Sequence, residues 1–222
     1  MIKTDFQKFA ASKGINSLKL YDYNKFINGY VSPTIIEERQ MHVTQMDVFS
    51  KLIQERQIFL GTGIDADVAN IINAQLLYLD SVGTDDDITI LVNTPGGSVI
   101  DGLSIYDTMN YVKSDVKTIV IGMAASMAAF LLACGTKGKR YALLNSEVMI
   151  HQPLGGASGQ ATEIKIACER ITRLKAKLNK ILSQKTEQSI KKINKDTDRD
   201  NFMTAEEAKK YGIPADYYIT NN

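Results

Sequence analysis

Apolar positions recur at helical spacing from Asp65 to Asp80, where Val68, Ile71, Ile72, Leu76 and Leu79 share one face. A short apolar run, Ile88 to Val92, follows and is closed by Asn93-Thr-Pro-Gly-Gly, which predicts a buried strand running into a turn. Ser98-Val-Ile-Asp101 has the form of a capping box and opens a helix to about Val112. Val116 to Gly122 predicts the next strand, Ser126 to Cys134 a short apolar helix, and Tyr141 to Leu144 and Val148 to Ile150 two further strands. Strand and helix alternate, as in βαβ units of a layered α/β core.

The pattern changes between Gln160 and Lys192, where neither proline nor glycine occurs. Apolar residues recur at Ile164, Ala167, Ile171, Leu174, Leu178 and Ile181, in a heptad-like seam. The other face is rich in Lys, Arg and Glu. Such a helix could pack on its own domain. The seam is narrower than the stripe of an ordinary surface helix, which favours a projecting helix that pairs with a neighbouring subunit. Thr204-Ala-Glu-Glu207 is a last capping box and starts a short helix to Lys210, ahead of Gly212 and Pro214.

A chain of 222 residues suits one domain, or one domain with an appendage. Its net charge of +1 gives no reason to expect nucleic acid or an anionic membrane as partner. The two cysteines, Cys134 and Cys168, both lie in apolar helical contexts. They read as reduced core or interface residues of a reducing compartment such as the cytoplasm. No apolar stretch has the length of a bilayer span. The first residues lack the apolar segment of a secretory signal, and no arginine precedes Arg39, which argues against a mitochondrial presequence.

Candidate chemistry centres on three residues. Ser126 lies in Gly122-Met-Ala-Ala-Ser-Met-Ala-Ala-Phe, at a strand-to-helix turn that would expose its hydroxyl beside the positive end of a helix. The plain alternative is a serine that caps a buried helix. His151 follows Val148-Met-Ile and leads into Gln-Pro-Leu-Gly-Gly. The other histidine, His42, lies in a polar stretch. A serine needs a neighbouring base to become a useful nucleophile, and the base needs a carboxylate to hold its tautomer. Asp196, Asp198 and Asp200 all lie in one mixed-charge run, and charge alone does not separate them. Pro95-Gly96-Gly97, between a strand and a helix, presents free backbone N–H groups. A phosphate site is the rival reading, but the chain lacks a lysine-containing P-loop and G-x-G-x-x-G.

Five blocks carry a resemblance: Asn93-Thr-Pro-Gly-Gly-Ser-Val, Gly122-Met-Ala-Ala-Ser-Met-Ala-Ala-Phe-Leu-Leu, Lys137-Gly-Lys-Arg-Tyr, Asn145-Ser-Glu-Val-Met-Ile-His-Gln-Pro-Leu-Gly-Gly and Asp196-Thr-Asp-Arg-Asp-Asn-Phe. In this order and spacing the chain resembles the proteolytic-subunit family of Clp proteases, which are serine peptidases. The resemblance implies an α/β fold of the ClpP/crotonase type, with repeated ββα units and a projecting handle helix at about 160–192. It selects Asp200 to complete a catalytic set with Ser126 and His151. It also assigns the oxyanion to the N–H groups of Gly97 and Met127, and makes Asp198 and Arg199 candidates for contacts between rings. It further implies hydrolysis of unfolded proteins inside two stacked seven-membered rings, fed by an AAA+ unfoldase that consumes the ATP. The chain itself would need no metal or nucleotide. Substrate would lie extended near Gly97 and Leu154. The domain would span 31–222, with 1–30 an extension or pro-segment. One departure stands out: Thr89 and Leu91 replace tyrosines that many members carry in the unfoldase pocket. Two rivals remain, an acyl-CoA enzyme of the crotonase superfamily and an inactive ring subunit.

Overall fold

The computed structural model describes residues 8–9, 12–13, 34–39, 42–83, 86–214 and 216–217; for 34–45 and 216–217 only the backbone path is described. The expected extension, 1–30, therefore lies outside the described residues except at four positions, one of which, Phe9, has its ring 5.4 Å from that of Tyr78.

Two strands, β1 (Thr34–Arg39) and β2 (His42–Asp47), form an antiparallel pair that leads into helix α1 (Val48–Gln54). The main sheet then builds by strand and helix in turn: β3 (Gln57–Leu60), α2 (Ala66–Ser81), β4 (Ile88–Thr94), α3 (Val99–Tyr111), β5 (Val116–Ala125) and α4 (Met127–Cys134). β3, β4 and β5 run parallel. The long β5 then serves two neighbours, pairing β6 (Arg140–Ala142) along its first half and β7 (Glu147–Ile150) along its second. Helices α5 (Ala161–Thr186) and α6 (Ile190–Asp196) precede β8 (Asn201–Thr204), which pairs antiparallel with β7. Helix α7 (Ala205–Tyr211) and β9 (Asp216–Tyr217), parallel to β6, complete the order. The result is a mostly parallel sheet covered by helices.

Local chemistry accounts for the boundaries. Asp65 caps α2 by accepting from the Val68 N–H, and the helix buries Val68, Ile71, Ile72, Leu76 and Leu79, the face expected from periodicity. Each such side chain contributes roughly 1.5–3 kcal/mol. All eight residues of α4 are buried, as an all-round apolar helix must be. Thr204 and Glu207 form the expected reciprocal box. The box expected at Ser98 forms by half: its hydroxyl accepts from the Asp101 N–H, but its own N–H donates to the Ile64 carbonyl.

The helix expected over 160–192 is two helices. Glu187 adopts a left-handed conformation (φ 60°) and Ser189 caps a new start. The first ten residues of α5 lie at the surface, with Ile164 and Ile166 exposed, whereas Leu178, Ile181 and Leu182 pack against the core. Part of the seam thus serves the chain's own domain and part is left outward.

Arg140 ties this end together. It is 7% exposed, and its Nη1 donates to the Ala133 and Lys185 carbonyls, at the last turns of α4 and α5. Replacement by methionine, Arg140→Met, keeps length but leaves two buried carbonyls without a donor. A loss of about 3 kcal/mol is expected, since hydrogen bonds from charged donors contribute about 1.5–3 kcal/mol. A urea midpoint unchanged from wild type at matched protein concentration would contradict this role.

Candidate active site

Strand pairing brings the three candidate residues to one sheet edge. Ser126 ends β5, His151 follows β7 on the parallel neighbour, and Asp200 precedes β8, whose Asn201 stands opposite Ile150. The ladder continues past the strand end, where the Ser126 N–H donates to the Met149 carbonyl at 2.8 Å.

Ser126 has φ 57° and ψ −120°, a costly conformation for a residue with a Cβ. The turn lifts its side chain out of the strand at the N-terminus of α4, where it makes no capping bond. The helix-cap reading is therefore excluded. Its hydroxyl lies 2.8 Å from His151 Nε2, and His151 Nδ1 lies 2.9 Å from Asp200 Oδ1. A carboxylate only accepts, so Nδ1 carries the hydrogen and donates to it. In the neutral imidazole Nε2 is then the acceptor for the serine hydroxyl. The imidazole is mostly covered, at 13% side-chain exposure, while Asp200 is 61% exposed. Neither Asp196 nor Asp198 makes this contact. Asp196 is engaged by Lys192 and Tyr211, which hold its carboxyl below the ordinary range against the opposing effect of its burial. His42 lies on β2, remote in sequence, and its side chain is outside the described residues.

The glycine turn presses against the serine. β4 and β5 lose register between Val92 and Thr94, and the Asn93 side chain bridges the gap by accepting from the Met123 N–H. Gly96 (φ 92°) then comes so close that a Cβ there would sit 2.5 Å from the Ala125 carbonyl oxygen and 2.9 Å from the Met127 nitrogen. Gly97 forms a parallel bridge with Ile64, whose N–H donates to Gly96 and whose carbonyl accepts from Ser98. Those two bonds leave the N–H of Gly97 facing the opposite side. Among the described residues neither it nor the Met127 N–H has a hydrogen-bond partner. Two donors thus stand free beside the hydroxyl.

Beside Ser126 lies an open pocket of about 420 Å³, its apolar wall including Val99, Phe130, Ile150, Leu178 and Leu182. Asn179 and Thr197, both buried, meet at its polar end, where the Asn179 amide donates to the Thr197 hydroxyl at 3.3 Å. Leu154 is 82% exposed in the segment after His151, and no backbone group of residues 153–158 is hydrogen-bonded among the described residues. Cys134 offers no rival nucleophile, because burial pushes its thiol up to about 12. Arg199 contacts only the Asp198 carbonyl, at 3.4 Å, among the described residues. No group of three His, Cys, Asp or Glu side chains is placed to hold a metal among those residues, and no helix among them is long and apolar enough to cross a membrane.

Residues 38–220 match the family model for Clp protease. The chain belongs to the Clp protease family. It is 55% identical over 210 residues to the ATP-dependent Clp protease proteolytic subunit of Porphyromonas gingivalis, covering 94% of this chain and 95% of that one. To the protein of the same name from Bacteroides fragilis it is 55% identical over 210 residues, covering 94% and 96%. Membership makes the chain a peptidase with the ClpP fold. These alignments cover 94% of the chain, so they enter the N-terminal segment although the family model starts at 38. The likeness expected to begin near Pro33 thus starts earlier among these relatives.

Sequence reasoning missed Asn93, Gln152, Lys175 and Asn179 at this site. Asn93 lay within a quoted block, but a strand bulge gives no periodic signal. A replacement Gly96→Ala should force the glycine turn off Ser126 and lower peptidase kcat at least about 100-fold, the scale of losing one oxyanion donor. Near-normal kcat would show that the turn tolerates displacement.

Proposed function

We propose that this chain is a serine endopeptidase in which Ser126, His151 and Asp200 act as nucleophile, base and orienting carboxylate. The observation that carries this is the unbroken relay of 2.8 and 2.9 Å from a strained serine whose hydroxyl caps nothing. Ser126 Oγ attacks the scissile carbonyl as His151 Nε2 takes its proton. The tetrahedral oxyanion is held by the Gly97 and Met127 N–H groups, each contributing roughly 3 kcal/mol. His151 returns the proton to the leaving amine. Water then enters by the same base and frees the acyl group. Asp200 stays ionised throughout, keeping Nδ1–H in place and stabilising the imidazolium. None of these steps requires a metal or nucleotide on this chain.

The apolar pocket beside Ser126 would take the side chain on the acyl side of the cut, and the unpaired backbone around Leu154 would hold the substrate as an added strand. Such pairing reads backbone more than sequence, which suits unfolded proteins. An ATPase unfoldase of the AAA+ type delivers them and spends the ATP. Its docking loop would meet Thr89 and Leu91 in place of an aromatic pair. The exposed start of α5 supports assembly into two stacked seven-membered rings, with Asp198 and Arg199 reaching across. We place the particle in the cytoplasm, and assign 31–222 to the working domain and 1–30 to a segment removed on maturation.

Ser126→Ala should abolish peptide cleavage and fluorophosphonate labelling with assembly intact, a loss on the order of 10⁶ in turnover. Labelling that persists on another serine would overturn the assignment. In a peptide series differing only at the cleaved residue, Leu and Met should exceed Asp and Lys in kcat/KM by at least about 10-fold, the smallest step one buried apolar group supplies. Equal rates would remove the pocket from the reading. N-terminal sequencing of active, mature particles should find the first 30 residues or so gone; Met1 retained there would refute the processing.

A further inference from the structure

Asp200 is the most exposed member of the catalytic set, so a hydrogen bond to His151 does not by itself fix where its carboxylate sits. Its aim depends on the backbone from Thr197 to Asp200. That backbone is tied down by α5 at two points one helical turn apart. The Asn179 amide donates to the Thr197 hydroxyl, which itself donates to the Ile193 carbonyl. The second point is Lys175. Its ammonium donates to Gln152 Oε1 at 2.7 Å, and Gln152 Nε2 donates to the Asp198 carbonyl at 2.7 Å. Lys175 also lies 3.9 Å from the Asp198 carboxylate.

Gln152 directly follows the base, and Asp198 precedes the acid by two residues. One amide therefore spans the two loops whose relative position sets the 2.9 Å bond between His151 and Asp200. A glutamine amide rotates freely unless both of its ends are engaged. Lys175 engages the oxygen and so commits the NH₂ to the Asp198 carbonyl. The ammonium is the only one of the three groups with no acceptor role, which makes the direction of this chain of bonds unambiguous.

We infer that Lys175 and Gln152 are positioning residues for the reaction: Lys175 orients Gln152, and Gln152 fixes the Asp198 backbone that aims Asp200 at His151. This rests on the catalytic reading of Ser126, His151 and Asp200. The two residues touch neither substrate nor the reacting atoms. Lys175 sits on the helix that also lines the pocket through Leu178 and Leu182, so the pocket wall and the aim of the acid are set by one rigid element.

The test uses the assembled full-length particle with Gln152→Ala and Lys175→Met. The charged groups around the imidazole are Asp200 in direct contact, then Asp198, Arg199 and Lys175 in the adjoining loop and helix. Gln152→Ala changes no charge at all, so its effect reports the lost hydrogen bonds. Both variants should lose about 10-fold to 100-fold in kcat on a small peptide, the scale of a small misplacement. KM should stay within about twofold of wild type because the pocket is untouched, as expected when only a transition-state interaction is lost. Sedimentation should match wild type. Unchanged kcat, a raised KM with kcat kept, or a smaller particle would each overturn the inference. Labelling by a fluorophosphonate separates the two levels. If wild type labels at Ser126 and Gln152→Ala labels at the same rate, the positioning role fails and the catalytic reading stands. If wild type does not label at Ser126, both fail.

Discussion

The bond from the Ser126 N–H to the Met149 carbonyl is the interaction on which the site depends. It extends the β5–β7 ladder one step beyond the strand and fixes the register that sets Ser126 beside His151. β7 is paired on its other side by antiparallel β8, so the same short strand also fixes Asp200. Side chains alternate across a strand with a period of two. A slip of one residue in β7 would turn the imidazole to the opposite face and break both of its hydrogen bonds together. Burial guards against that slip: Val148, Met149 and Ile150 are all buried.

That register is accompanied by a second constraint, backbone crowding. Ser126 occupies a strained conformation of positive φ, and Gly96 approaches it more closely than any side chain would allow. Crowding of this kind holds the glycine turn against the N-terminus of α4. It also explains the composition around the serine. Ala124, Ala125, Ala128 and Ala129 are buried with almost no exposed surface, and larger residues there would push the turn and the strand apart. The cost of the strained turn is offset by α4, which is buried on every side and cannot shift without opening the core.

How much of this could be read in advance varies with the kind of signal. The faces of α2 and α4 and the strand β4 were legible because burial leaves a periodic trace. The candidate set that the fold brings together, Ser126, His151 and an aspartate, was legible in residue types and order. Asp200 was not separable from Asp196 and Asp198 by charge, and only the resemblance selected it; in the folded chain Asp196 is engaged by Lys192 and Tyr211 instead. The break in the long helix was missed because Glu187 has no special status in sequence, although Ser189 is an ordinary cap. Gln152 and Lys175 were invisible for a different reason. Their meaning lies in contacts 23 and 46 residues apart in the chain, which no local pattern encodes.

Helix α5 joins the exposed surface to the site. Its first turns are exposed and carry the outward part of an apolar seam, Ile164 above all. Its later turns do three local jobs: Leu178 and Leu182 wall the pocket, Asn179 holds Thr197, and Lys175 reaches Gln152. A helix transmits displacement along its axis far better than a loop does, because each turn is hydrogen-bonded to the next. Whatever packs on the exposed half therefore bears on the pocket and on the aspartate loop at once. The seam breaks where the domain core takes over, and the arrangement of charges there follows the same division. Lys175 faces inward to the site, whereas Arg199 faces out with no carboxylate of its own among the described residues. A chain built this way has the geometry around Ser126, His151 and Asp200 mechanically continuous with the exposed face of α5.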